Sequence, residues 1–139
     1  MTRQLVKLAL ASVFCCGVVS AQTAKDAARE WRVAHEEQIL REFTGLLSIP
    51  NVAEDKANIR RNADTLVGML EQRHVAAKLL LAGDANPVVY GEIKTAGAKR
   101  TIVFYAHYDG QPVTPEEWDS KAPFTPVTRT VNGETRIYA

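Results

Sequence analysis

The residues of this chain best suited to chemistry are His107 and Asp109, with only Tyr108 between them. They follow residues 101–106, Thr-Ile-Val-Phe-Tyr-Ala, a continuous apolar run of the kind found in strands covered on both faces. Ligands of open α/β sheets gather beyond the carboxyl ends of such strands. In extended backbone, residues two apart point the same way, so the imidazole and the carboxylate can meet. A carboxylate on one ring nitrogen fixes the tautomer and raises the basicity of a histidine bound to metal through the other. A strand-end histidine that only makes hydrogen bonds satisfies the same spacing, and spacing alone does not separate the two.

The remaining candidates have structural readings. His35 lies among Glu30, Glu36 and Glu37, a carboxylate-rich neighbourhood that reads as a solvated helix face. His74 follows Arg73 at the end of a helical pattern, where positive charge offsets the helix dipole and histidine tolerates a left-handed cap. Neither Ser48 nor Ser120 sits in a Gly-x-Ser-x-Gly elbow, and no phosphate-binding glycine loop occurs.

The elements that must position His107 read as follows. Trp31, Ile39, Leu40, Phe43, Leu46 and Leu47 recur at helical spacing and predict one helix over residues 23–48, with Trp31 and Phe43 facing inward. Pro50 closes it, and residues 51–55 form a polar turn. Ile59, Ala63, Leu66, Val67 and Leu70 predict a second helix over residues 56–73, capped by Asp55. Extended segments follow at residues 77–81, 87–93 and 101–106, the last as the centre of a sheet, separated by turns at residues 83–86 and 95–97. Beyond His107 a proline-rich loop carries Trp118 and Phe124 as apolar anchors. Asn132-Gly133 marks a tight hairpin leading into a strand at residues 135–138.

Composition bounds the function classes. The 139 residues are 46% hydrophobic, enough for one globular core. Lys and Arg total 17 against 16 for Asp and Glu, so no strong field draws nucleic acid or an anionic membrane. Arg3 and Lys7 precede an apolar run over residues 8–19, and Val19-Ser20-Ala21 offers a small-residue cleavage site. This order predicts a signal peptide over residues 1–21 and an exported form starting near Gln22, in the periplasm or outside the cell. The run is too short for a stable membrane anchor. Cys15 and Cys16 fall inside it, and Ser12 and Val13 stand where lipidation of either would want leucine. Without them the exported chain has neither a disulfide nor a cysteine nucleophile.

The run from Thr101 through His107-Tyr108-Asp109-Gly110-Gln111-Pro112-Val113, followed by Glu117-Trp118-Asp119 and Pro123-Phe124, closely resembles the first metal-site motif of the di-zinc exopeptidases and deacylases. That family includes carnosine dipeptidase, bacterial glutamate carboxypeptidase, acetylornithine deacetylase and succinyl-diaminopimelate desuccinylase. The Trp-Asp and Pro-Phe spacing is most similar to its dipeptidase branch. Weaker likeness runs back through Leu47-Ser48-Ile49-Pro50, so the resemblance covers roughly residue 36 onward. It implies an α/β fold in which residues 22–139 are the amino-terminal, incomplete portion of a catalytic domain, with helices on a mixed, largely parallel sheet. By position, His107 matches the first zinc ligand and Asp109 the aspartate that orients it.

The family's other groups have no counterpart in this sequence. These are a bridging aspartate in an Asp-Asp-Lys-Gly segment, a glutamate pair supplying general base and ligand, a further carboxylate and a late histidine. Arg136-Ile137-Tyr138-Ala139 resembles the strand before that bridging aspartate. Gly110 stands where many members carry a branched aliphatic residue. The complete enzyme implied has two zinc ions, a small peptide or N-acyl amino acid as substrate, and room for a homodimer, while this portion alone is inactive. The alternative is a secreted α/β binding or structural module in which His107 caps a strand.

Overall fold

The computed structural model describes residues 23–119 and 122–139; the segment expected as a signal peptide, both cysteines and Ser120 lie outside them. The chain divides into two units, Met1–His35 and Glu36–Ala139.

In the first unit, α1 spans Ala24–Ala34 and is capped by Thr23, whose hydroxyl accepts the Asp26 amide at 3.2 Å. The single long helix expected over residues 23–48 is broken at His35. Its backbone leaves helical geometry (φ −115°, ψ 15°), and its amide reaches the carbonyls of both Trp31 and Arg32. The imidazole stacks on the Trp31 ring at 4.3 Å, and Nδ1 lies 2.7 Å from the Trp31 carbonyl oxygen. His35 therefore terminates a helix, where its carboxylate neighbours had suggested only an exposed face. Trp31, expected to be inward, is about half exposed at 53%.

The second unit opens with α2, Glu36–Leu47, whose first turn carries Glu36 and Glu37 where negative charge favours a helix start. Phe43 stays half exposed here too. After the polar turn comes α3, Lys56–Glu71. Asp55 caps it as expected, its carboxylate accepting the Asn58 amide at 3.1 Å, and hydrogen bonds from the Asn58 side chain and amide hold the Asp55 carboxyl below its ordinary range. His74 ends the helix in the left-handed region, φ 59°.

Strands β1 (Ala76–Leu80) and β2 (Val88–Glu92) pair antiparallel, with Lys78 opposite Tyr90, and α3 packs on both. Gly91 permits that approach, since a Cβ there would lie 2.9 Å from Val75 Cγ1 and 3.2 Å from Leu70 Cδ1. A second hairpin joins β3 (Val127–Val131) to β4 (Glu134–Tyr138) through Asn132 and Gly133, both at positive φ, the signature of a type I′ turn. Between the hairpins lies one 3-10 turn, Pro115–Glu117.

The described residues thus form an α/β arrangement of three helices and two small antiparallel sheets. Parallel pairing among them is confined to an isolated bridge, Val52 with Gly110. The run at residues 101–106, expected as the central strand, carries no ladder at all, and Ile102, Val103, Phe104 and Tyr105 are 77–91% exposed. The physical reason is the lack of neighbours. Each hairpin satisfies its own inner edge, and among the described residues no third strand or helix layer comes alongside the run to cover its faces. Among the described residues the buried apolar core is correspondingly small: Ile49, Ile59 and Ala63, with Asn62 also buried. Asn62 is satisfied there, its Nδ2 donating to the carbonyls of Pro50 (2.8 Å) and Asn58 (2.9 Å). Among the described residues no helix is long and apolar enough to cross a membrane.

Candidate functional site

His107 and Asp109 meet, as the two-residue spacing predicts, but chiefly through the backbone. His107 Nδ1 lies 2.8 Å from the Asp109 carbonyl oxygen and 3.4 Å from its carboxylate Oδ1. A carbonyl can only accept, so the hydrogen bond puts the proton on Nδ1. In the neutral ring, Nε2 then carries the lone pair. That nitrogen has no partner among the described residues, and the His107 side chain is 74% exposed. The ring is therefore tautomer-selected with its second nitrogen open.

What holds the motif in place is the turn before α3. The Gly110 amide donates to the Asn51 carbonyl at 2.7 Å, and the Ala53 amide donates to the Gly110 carbonyl at 3.0 Å. The Asn51 side chain adds a hydrogen bond from Nδ2 to the Tyr108 carbonyl at 3.3 Å. Asn86 donates to the Ala53 carbonyl (3.0 Å) and accepts from Lys56 Nζ (2.8 Å), tying the turn to the β1–β2 connection. The Tyr108 hydroxyl donates to the Pro87 carbonyl at 2.5 Å; burial, and then the Asp109 charge, push its pKa above the usual value.

Asn51 is the neighbour of the His107–Asp109 segment that sequence reasoning missed. Residues 51–55 read as a polar turn, and nothing local in them signals a contact with a residue 57 positions away. The departure at Gly110 did contain a hint. A Cβ there would lie 2.8 Å from Asn51 Oδ1 and 3.3 Å from its Nδ2, so the glycine makes room for the asparagine side chain. Gly110→Val is accordingly expected to push Asn51 off the Tyr108 carbonyl and destabilise the second unit by about 1 kcal/mol, the ordinary worth of one hydrogen bond. Urea unfolding checks this, and pairing Gly110→Val with Asn51→Ala should cost less than the sum of the two single changes.

The other histidines stay apart from this site in role: His35 closes α1 and His74 closes α3. Glu37 pairs with Arg41 at 2.9 Å along α2. An open depression of about 260 Å³ beside Trp118, Arg129 and Tyr138 includes neither His107 nor Asp109 in its lining. Among the described residues no group of three or more His, Cys, Asp or Glu side chains converges on one point. Catalytic zinc sites commonly use three protein ligands. The described residues therefore bring together no such set of three. Comparison with protein-family models, with curated proteins and with solved structures finds no match to this chain.

Proposed function

We propose that this chain is the amino-terminal portion of an exported, zinc-dependent metallohydrolase that cleaves peptide or N-acyl amide bonds of small substrates. One observation carries the reading beyond the resemblance of residues 101–124: the imidazole of His107 is held through Nδ1 while Nε2 stands open at an exposed position. This is how a histidine ligand is prepared for a metal. In the proposal His107 ligates zinc, Asp109 orients the ring, and the remaining ligands and the general base come from residues outside this sequence. The finer fold belongs to the same proposal: in the complete domain, residues 101–106 form an inner strand of a mixed, largely parallel sheet.

Activity measurements decide it. The 139-residue chain is expected to hydrolyse neither dipeptides nor N-acyl amino acids above background. A longer protein whose reading frame continues into a Gly-rich Asp-Asp-Lys-Gly segment is expected to do so with zinc. Zinc-dependent turnover by the short chain overturns the division of the site. Absence of turnover in the long, zinc-loaded protein overturns the function.

A further inference from the structure

We infer that Asn51 is the positioning residue of the His107 site: it fixes the backbone on both sides of Asp109 and so decides which ring nitrogen of His107 carries the proton. The two peptide groups that flank the Asp109 Cα both bond to this one residue. The carbonyl of the first, at Tyr108, accepts from Asn51 Nδ2 at 3.3 Å, and the amide of the second, at Gly110, donates to the Asn51 carbonyl at 2.7 Å. A peptide unit is planar, so pinning the plane before Asp109 and the plane after it sets both soft dihedrals of that residue.

The effect reaches the imidazole through the second plane. Its peptide bond is trans, so the Asp109 carbonyl points opposite to the Gly110 amide. With the amide aimed at Asn51 the carbonyl is aimed away from it, and this is the carbonyl that His107 Nδ1 meets at 2.8 Å. The contacts form one continuous chain from the Asn51 carbonyl through the Asp109–Gly110 peptide to the ring. Hydrogen bonds in such a chain polarise one another, and an amide that donates makes its own carbonyl a better acceptor. Asn51, Tyr108, Asp109 and Gly110 are all half-buried, which limits competition from water.

The chemistry calls for asparagine in this position. A carbonyl only accepts, so the group facing Tyr108 must donate, and an ionised aspartate of the same shape offers only oxygens. Room for the side chain comes from Gly110, where a Cβ would lie 2.8 Å from Asn51 Oδ1. The Asp109 carboxylate, at 3.4 Å from Nδ1, is the lesser contact of the ring. The inference rests on the proposed function only for its metal: a proton held on Nδ1 leaves Nε2 for zinc. The tautomer itself belongs to this chain with or without metal.

Long-range proton–nitrogen NMR correlations of the neutral ring, in the metal-free 139-residue chain, read the tautomer directly. Wild type is expected to carry the proton on Nδ1. Asn51→Asp, and to a smaller extent Asn51→Ala, should move it toward Nε2, the form an unrestrained imidazole favours. Ile59→Val, a core change of comparable cost to stability, should leave it on Nδ1. In the full-length protein Asn51→Ala should lower zinc affinity about tenfold. A wild-type proton on Nε2, an unshifted tautomer in folded Asn51→Ala, or an equal shift in Ile59→Val overturns the inference. So does loss of the fold in Asn51→Ala, which would make the residue a structural one. A tautomer that responds as expected in a full-length protein that takes no zinc upholds the role of Asn51 and overturns the proposed function instead.

Discussion

His107→Ala in the full-length protein is expected to abolish turnover and lower bound zinc, a loss well beyond the roughly 10–100-fold typical of removing a group that only orients a ligand. The geometry grades the companion variant. Asp109 reaches the imidazole first through its main-chain carbonyl at 2.8 Å and only second through its carboxylate at 3.4 Å. Asp109→Asn keeps the carbonyl and loses only the charge, so it should fall at the mild end, about tenfold in activity with most zinc retained. His35→Ala removes the stack on Trp31 and the Nδ1 contact with its carbonyl, both at the end of α1, and should leave both measurements near wild type. Zinc per chain and kcat/KM for the three variants give the answer. Normal zinc and normal turnover in His107→Ala would remove the residue on which the proposed function rests.

Ile59→Ala should be among the most damaging core substitutions. Ile59 is completely buried, and only Ile49 and Ala63 join it among the buried apolar side chains of the described residues. Truncating a buried isoleucine to alanine costs about 2–5 kcal/mol through lost transfer energy and the cavity left behind. Whole small domains have only roughly 5–15 kcal/mol of stability, so this one change removes a large part of it. Ile59→Val should cost about 0.5–1.5 kcal/mol. Phe104→Ala, at an exposed site, should stay within about 0.5 kcal/mol. Urea unfolding monitored by circular dichroism orders the three, and an Ile59→Ala variant as stable as wild type would mean that the core lies elsewhere.

Local chemistry was legible in the sequence and long-range neighbourhood was not. Asp55 as a cap, His74 as a left-handed terminator and Asn132-Gly133 as a hairpin turn each depend on a few adjacent residues, and each stands where its chemistry places it. The meeting of His107 with Asp109 belongs to the same class. The periodic stripe from Trp31 to Leu47 hid the break at His35, because a one-residue interruption barely disturbs helical spacing while a ring stack and a shared amide stop the helix. The apolar run at residues 101–106 has strand composition, but a strand also needs neighbours, and no window of its own sequence records whether they come alongside. Asn51 was invisible for that reason: its partner is remote, and only the missing Cβ at Gly110 marks the space it fills.

The tie between Asn51 and the Tyr108 carbonyl also has an entropic meaning. It closes a loop of 57 residues, whereas the β1–β2 hairpin closes across residues 81–87 and the β3–β4 hairpin across two. Loop-closure entropy grows with the logarithm of length, so holding His107 in place costs about 2 kcal/mol more chain entropy than closing the first hairpin. The hairpins are therefore the low-contact-order parts of the chain, and the seat of the histidine is a high-contact-order part that joins the turn before α3 to the β1–β2 connection.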